Sequence, residues 1–128
     1  MGRRDIEYVR KLDRAALEAS TDRYVQRLLA ADSGARTLSF AVIKTPAGGG
    51  SPEGLHTHAV DQIFYVLSGT MSIEVQGRRE DVGPGSLVVF PAGVAHRNWN
   101  DGSEPTVHIA IASPLPDPAV PFATRVSA

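Results

Sequence analysis

The stretch GSPEGLHTHAVDQIFYVLSG, residues 50–69, leaves a glycine-rich loop, passes through two histidines one residue apart, and ends in an apolar run closed by Ser68-Gly69. Residues two apart on an extended chain project from the same face, so His56 and His58 point into one space. Gln62 shares their even-numbered register if the chain stays extended, and Phe64 and Val66 continue it. Asp61 and Tyr65 fall on the opposite face.

Working outward, short β-rich runs follow one another at intervals of roughly eight to twelve residues, the spacing of an all-β sandwich or barrel. They are Ile63 to Leu67, Met71 to Gln76, Leu87 to Phe90, His96 to Trp99 and Thr106 to Ala112. Turn chemistry separates them at Ser68-Gly69, Gly77, Gly83-Pro84-Gly85, Pro91-Ala92-Gly93 and Asn100-Asp101-Gly102. These connections are too short for the crossover helices that a parallel sheet needs. Upstream, Leu38, Phe40 and Val42 alternate with Ser39 and Ala41, which predicts a strand over 37–45 with the even positions buried. The segment 46–54 holds four glycines and two prolines and reads as a loop. Arg23 to Ala30 reads as a further strand, turned back by Asp32-Ser33-Gly34. Leu12, Ala15, Ala16 and Ala19 recur at helical spacing behind Asp13, which predicts a short helix near 13–20. The chain thus divides into an extension over 1–22, an all-β barrel over 23–113, and an arm over 114–128 whose prolines keep it extended across its own barrel or a neighbour's.

His96 follows the Pro91 to Gly93 turn, forty residues after His56. If the strands close into a barrel, interior positions converge, and three imidazoles can meet one ion at about 2.0 to 2.2 Å. Against this stands the plain alternative that a histidine in a strand is a satisfied core or surface residue, which is the first reading for His108. Phe40, Val42, Phe64, Val66, Phe90, Asn98 and Trp99 are candidate cavity walls, with ordinary core packing the first reading for all of them.

Composition narrows the partners. The 128 residues carry 42% hydrophobic and 21% charged residues, as a folded domain does, with a formal net charge of −1. No broad field is available to draw in nucleic acid or an anionic membrane. The chain has no cysteine, so any metal must be held by nitrogen and oxygen. Nothing near the N-terminus resembles a signal peptide and no run is long enough to cross a bilayer, so cytoplasmic residence is the expectation.

Two blocks together resemble the cupin family. Its first motif, glycine, five residues, His-x-His, three or four residues, glutamate, six residues, glycine, is met by Gly50, His56, His58, Gln62 and Gly69. Its second, glycine, five residues, Pro-x-Gly, two residues, histidine, three residues, asparagine, is met by Gly85, Pro91, Gly93, His96 and Asn100. The resemblance implies a double-stranded β-helix or jelly-roll barrel, a homodimer, and one divalent ion held by His56, His58, His96 and Gln62. Zn²⁺ or Fe²⁺ heads the range, followed by Mn²⁺ and Ni²⁺. Gln62 stands where the family usually has glutamate. A neutral amide leaves the ion's full charge in place, which favours Lewis-acid chemistry over higher oxidation states. The set resembles that of zinc-dependent polyketide cyclases of the family, and a cyclase, isomerase or lyase acting on a small carbonyl, enol or phenolic molecule is the leading expectation. A non-haem Fe(II) dioxygenase is the alternative, and a non-catalytic metal- or ligand-binding cupin a third. Asp61 and His108 are the candidate proton-transfer groups.

Overall fold

The computed structural model describes residues 6–50, 54–117 and 119–126. Residues 51–53 of the expected loop, residue 118 of the arm and residues 1–5 and 127–128 lie outside the described residues. One helix, α1 (Arg14–Ala19), precedes ten strands: β1 (Tyr24–Leu29), β2 (Ser39–Thr45), β3 (His56–His58), β4 (Asp61–Ser68), β5 (Met71–Val75), β6 (Arg78–Val82), β7 (Leu87–Phe90), β8 (His96–Trp99), β9 (Thr106–Ser113) and β10 (Ala123–Arg125).

The strands form two five-stranded antiparallel sheets, ordered β1-β2-β9-β4-β7 and β10-β3-β8-β5-β6. Alternation explains why they face each other. Along β9 the residues Thr106, His108, Ala110 and Ala112 are buried while their neighbours are half-buried. One core joins Ile43, Phe64, Val66, Val88, Phe90 and Ala110 of the first sheet to Met71, Ile73 and Val82 of the second. Each large side chain in it contributes about 1.5–3 kcal/mol by leaving water. The histidines lie against this core, Phe90 on His96 and Phe64 on His108.

Two expectations are corrected here, and one strand is added. In β2 the inward face is Ala41, Ile43 and Thr45 rather than the even positions, because Ile43 and Ala41 pack on the core and Thr45 lines the interior cavity, while Phe40 lines a second, larger hollow. Val42 is buried nonetheless, on the outer face. Helix α1, which Asp13 caps by accepting from the Ala16 N–H at 3.0 Å, is tied to that face through Lys44. Lys44, on the same outer face, donates to the Leu17, Glu18 and Ser20 carbonyls at 3.0, 3.2 and 2.9 Å, satisfying the orphan acceptors at the helix end. Trp99 also turns outward, where the guanidinium groups of Arg97 and Arg79 lie 4.5 and 5.4 Å from its ring centre. Strand β6 was not foreseen, since its sequence Arg-Arg-Glu-Asp-Val carries no strand pattern. It is an exposed edge paired to β5, and the Ser72 hydroxyl donates to Asp81 at 2.7 Å across the pair.

The expected arm lies on its own barrel. Ala123, Thr124 and Arg125 pair with His58, Thr57 and His56, so β10 extends the second sheet beyond β3.

Two glycines of the paired motifs answer to close packing. Gly69 has φ +78°, and a Cβ there would stand 2.5 Å from the Pro105 carbonyl oxygen. Gly50 bridges to Trp99, and its Cβ would stand 2.9 Å from that of Trp99. The motif asparagine, Asn100, is wholly buried: its amide donates to the Thr45 and Glu104 carbonyls at 3.2 and 2.8 Å and accepts from the Gly102 N–H at 3.0 Å. It ties the β8–β9 connection to the end of β2.

Candidate metal centre

Antiparallel register brings the three histidines together. His56 sits directly opposite His96 across the β3–β8 pair, and His58 follows two residues on, on the same face. All three are buried, with ligand atoms within 4.8 Å of one another. The rings are fixed from behind by backbone carbonyls: Nδ1 of His56, His58 and His96 bonds the carbonyls of Gly54, Phe122 and Val94 at 3.3, 2.8 and 3.0 Å. A carbonyl can only accept, so each Nδ1 carries the proton and each Nε2 presents a lone pair. Nε2 of His58 and of His96 is buried with no hydrogen-bond partner. Outer partners that set tautomer and ring orientation in this way are what metal-ligating histidines require. Phe90 stacks flat on His96, with centroids 4.0 Å apart and planes at 14°, and fixes that ring further.

Electrostatics keep the triad unprotonated. Burial lowers the pKa of all three imidazoles, against the opposing effect of the carbonyl bonds, and pushes His96 down to about 4. Neutral imidazole is the form that binds a metal ion.

A cavity of about 250 Å³ opens beside the triad, lined by His56, His58, Gln62, Phe64, Asn98 and His108, with Ile43, Thr45, Arg23 and the tail residues Phe122 and Ala123 completing it. Gln62 reaches it from β4, in the opposite sheet, and its side chain favours the protonated form of His58. Phe64 and Asn98 are walls as expected. Val66 and Phe90 belong to the packed core beneath. Asp61 stays outside: it is exposed, and its carboxylate accepts from the Ala92 N–H at 2.8 Å. Together with the Gly93 N–H donating to the His58 carbonyl at 2.8 Å, that bond holds the turn that delivers His96. Its work is in positioning.

His108 is neither exposed nor satisfied. It is 1% exposed, lies against Phe64 at 4.2 Å between ring centres, and has no hydrogen-bond partner at either nitrogen. Burial, with a smaller push from Arg23, lowers its pKa to about 4. A chain unfolding near pH 5 must therefore take up a proton that the native state excludes. Stability on this account is full above about pH 6.5 and is lost as pH falls toward 4, on the order of 3 kcal/mol for His108 alone. Chemical denaturation between pH 7.5 and 4.5 should show the decline, and His108→Leu should make it shallower, the share of the triad histidines remaining.

Arg23, Thr45 and Phe122 were not foreseen as cavity residues. Position 45 was open to discovery once the odd face of β2 is taken as the inner one, whereas Arg23 and Phe122 depend on chain paths that no local pattern announces.

Against known proteins, the family model described as a cupin domain matches residues 41–112. An uncharacterized protein of Streptomyces coelicolor is 32% identical over 79 residues, 62% of this chain and 73% of that one. Acireductone dioxygenase of Rhodopseudomonas palustris is 44% identical over 48 residues, 34% of this chain, and the match spans only 29% of the dioxygenase. Among solved structures, the polyketide cyclase RemF of Streptomyces resistomycificus superposes with a TM-score of 0.70 over 84% of this chain and 72% of that one, at 24% identity, a likeness of fold. No helix among the described residues is long and apolar enough to cross a membrane.

Proposed function

Because the chain belongs to the cupin family, we propose that it is a metal-dependent enzyme that binds one divalent ion through His56, His58 and His96, with Gln62 as a fourth donor, and transforms a small organic molecule in the adjoining cavity without net redox change. What carries the reading is the arrangement of three buried imidazoles whose Nδ1 protons are all committed to carbonyls. A divalent ion held there would supply Lewis-acid stabilisation of negative charge developing on a carbonyl or enol oxygen. The protein's own part is to orient and to exclude water. Phe64, Ile43 and Phe122 give the substrate apolar walls, and Gln62 offers an amide in place of a carboxylate. Among the described residues no carboxylate lines the cavity, so His108 is the titratable group outside the triad that can take or return a proton.

Elemental analysis of purified protein, followed by titration with Zn²⁺ and Fe²⁺, tests this directly. One ion per chain is expected, and a protein that takes up neither overturns the reading. Gln62→Glu should keep or strengthen metal binding while changing turnover. An unchanged rate would remove Gln62 from the working site.

The identity to a stretch of acireductone dioxygenase favours one second reading, an iron(II) dioxygenase. Tightly bound iron with substrate-dependent oxygen uptake would establish it over the first. Zinc without uptake would remove it.

A further inference from the structure

The inner cavity adjoins a larger hollow of about 520 Å³, and the two share Arg23, Ile43, Gln62 and Phe122. The outer hollow is mainly apolar, with Val25, Leu29, Phe40, Ile111 and Leu115 among its walls. Its charged members are Arg23 and Arg27, which follow the same alternation as Val25 and Leu29 and so stand on one face of the β1 segment. Among the described residues no acidic side chain lines either hollow, and the ion pairs gather elsewhere, at Glu74 with Arg79 and Arg97. Arg23, an exposed residue, therefore brings to the junction a positive charge that no carboxylate among the lining residues pairs. Its partial desolvation and the neighbouring Arg27 both disfavour that charge, and a bound anion would offset them.

The second observation is independent. His108 is wholly buried in the wall of the inner cavity, with both ring nitrogens unpartnered. A neutral imidazole has one N–H and one lone pair, and burying both unpaired is costly unless something in the cavity completes them. The charge of Arg23 acts on the same ring, so the two groups address one region.

We propose that Arg23 and His108 form an anion subsite apart from the histidine triad, and that the substrate is an organic monoanion, a carboxylate, phenolate or enolate, whose apolar body fills the outer hollow. The inference rests on the reading above only in calling the bound molecule a substrate. Binding itself does not depend on it.

Calorimetric titration of the purified protein with 2-naphthoate and with the uncharged 2-naphthamide, metal content being measured on the same sample, is the test. The unaltered protein should prefer the naphthoate. Arg23→Ala should weaken naphthoate binding about 10- to 50-fold while leaving naphthamide nearly unchanged, and Arg23→Lys should restore part of the loss. His108→Leu should reduce the same preference yet raise the melting midpoint, since it removes two unpaired polar atoms, whereas His108→Gln keeps a donor and should keep the preference. Equal loss for both ligands in Arg23→Ala, an undiminished preference there, or no preference in the unaltered protein overturns the subsite. A lower melting midpoint in His108→Leu would overturn the part assigned to that ring. If His96→Ala lacks metal but still shows an Arg23-dependent preference, the subsite stands on its own. A stoichiometric ion with an Arg23-independent preference removes the subsite and spares the metal centre.

Discussion

His96→Ala leaves the purified protein without stoichiometric metal and lowers divalent-ion affinity by orders of magnitude, as competition against a chelating indicator will measure. The ring lost is the one its surroundings define most fully. It faces His56 in register, is held by the Val94 carbonyl, and lies flat against Phe90. Its Nε2 has no other partner, so nothing in the protein competes with an ion for that lone pair. Two imidazoles and a neutral amide make a poor site. His56→Ala and His58→Ala should behave alike, because all three donors serve one point. If all three variants kept one ion per chain, the assignment of the centre would fail.

Gly69→Ala should destabilise the fold by roughly 3 kcal/mol or more, a large share of the stability of a domain of this size. Two causes add. The residue has φ +78°, where a Cβ costs about 1–2 kcal/mol. The new methyl would also stand 2.5 Å from the Pro105 carbonyl oxygen and 2.9 Å from the Thr106 Cα, and backbone cannot swing aside as a side-chain tip can. Gly85→Ala is the natural comparison: its φ of +87° carries the conformational cost alone, since a Cβ there meets nothing within 4 Å. Urea denaturation of both variants separates the terms, and equal losses would show that the contact beside Pro105 yields freely.

The parts of this architecture that were legible in the sequence are those where chemistry permits few residues. Histidine two residues from histidine on an extended chain puts two imidazoles on one face, and the convergence of a third behind the Pro-x-Gly corner was legible through the paired motifs that resemble the cupin family. Turns demanded glycine or proline and so marked most strand ends. Legibility failed where a residue's surroundings come from distant chain. In β2 the larger side chains Phe40 and Val42 suggested the inner face, but Val42 is buried on the outer one, a burial that alternation attributes to the core. Trp99 looked like core until two arginines proved to flank it from outside. β6 hid because an exposed edge needs no apolar face. His108 could be named but not placed, since a buried ring without partners looks in sequence like any strand histidine.

The attachment of the tail has a thermodynamic corollary. The Phe122 carbonyl orients His58, and β10 runs alongside the strand that carries both His56 and His58. Whatever an ion gains from finding that ring already aligned, the tail must gain in return from the ion's presence, because linkage between two equilibria runs equally in both directions. Occupancy of the centre and adherence of the last strand are thus a single coupled variable, and a cofactor seated deep in the barrel would be sensed at a chain segment more than sixty residues away in sequence from the ligand it steadies.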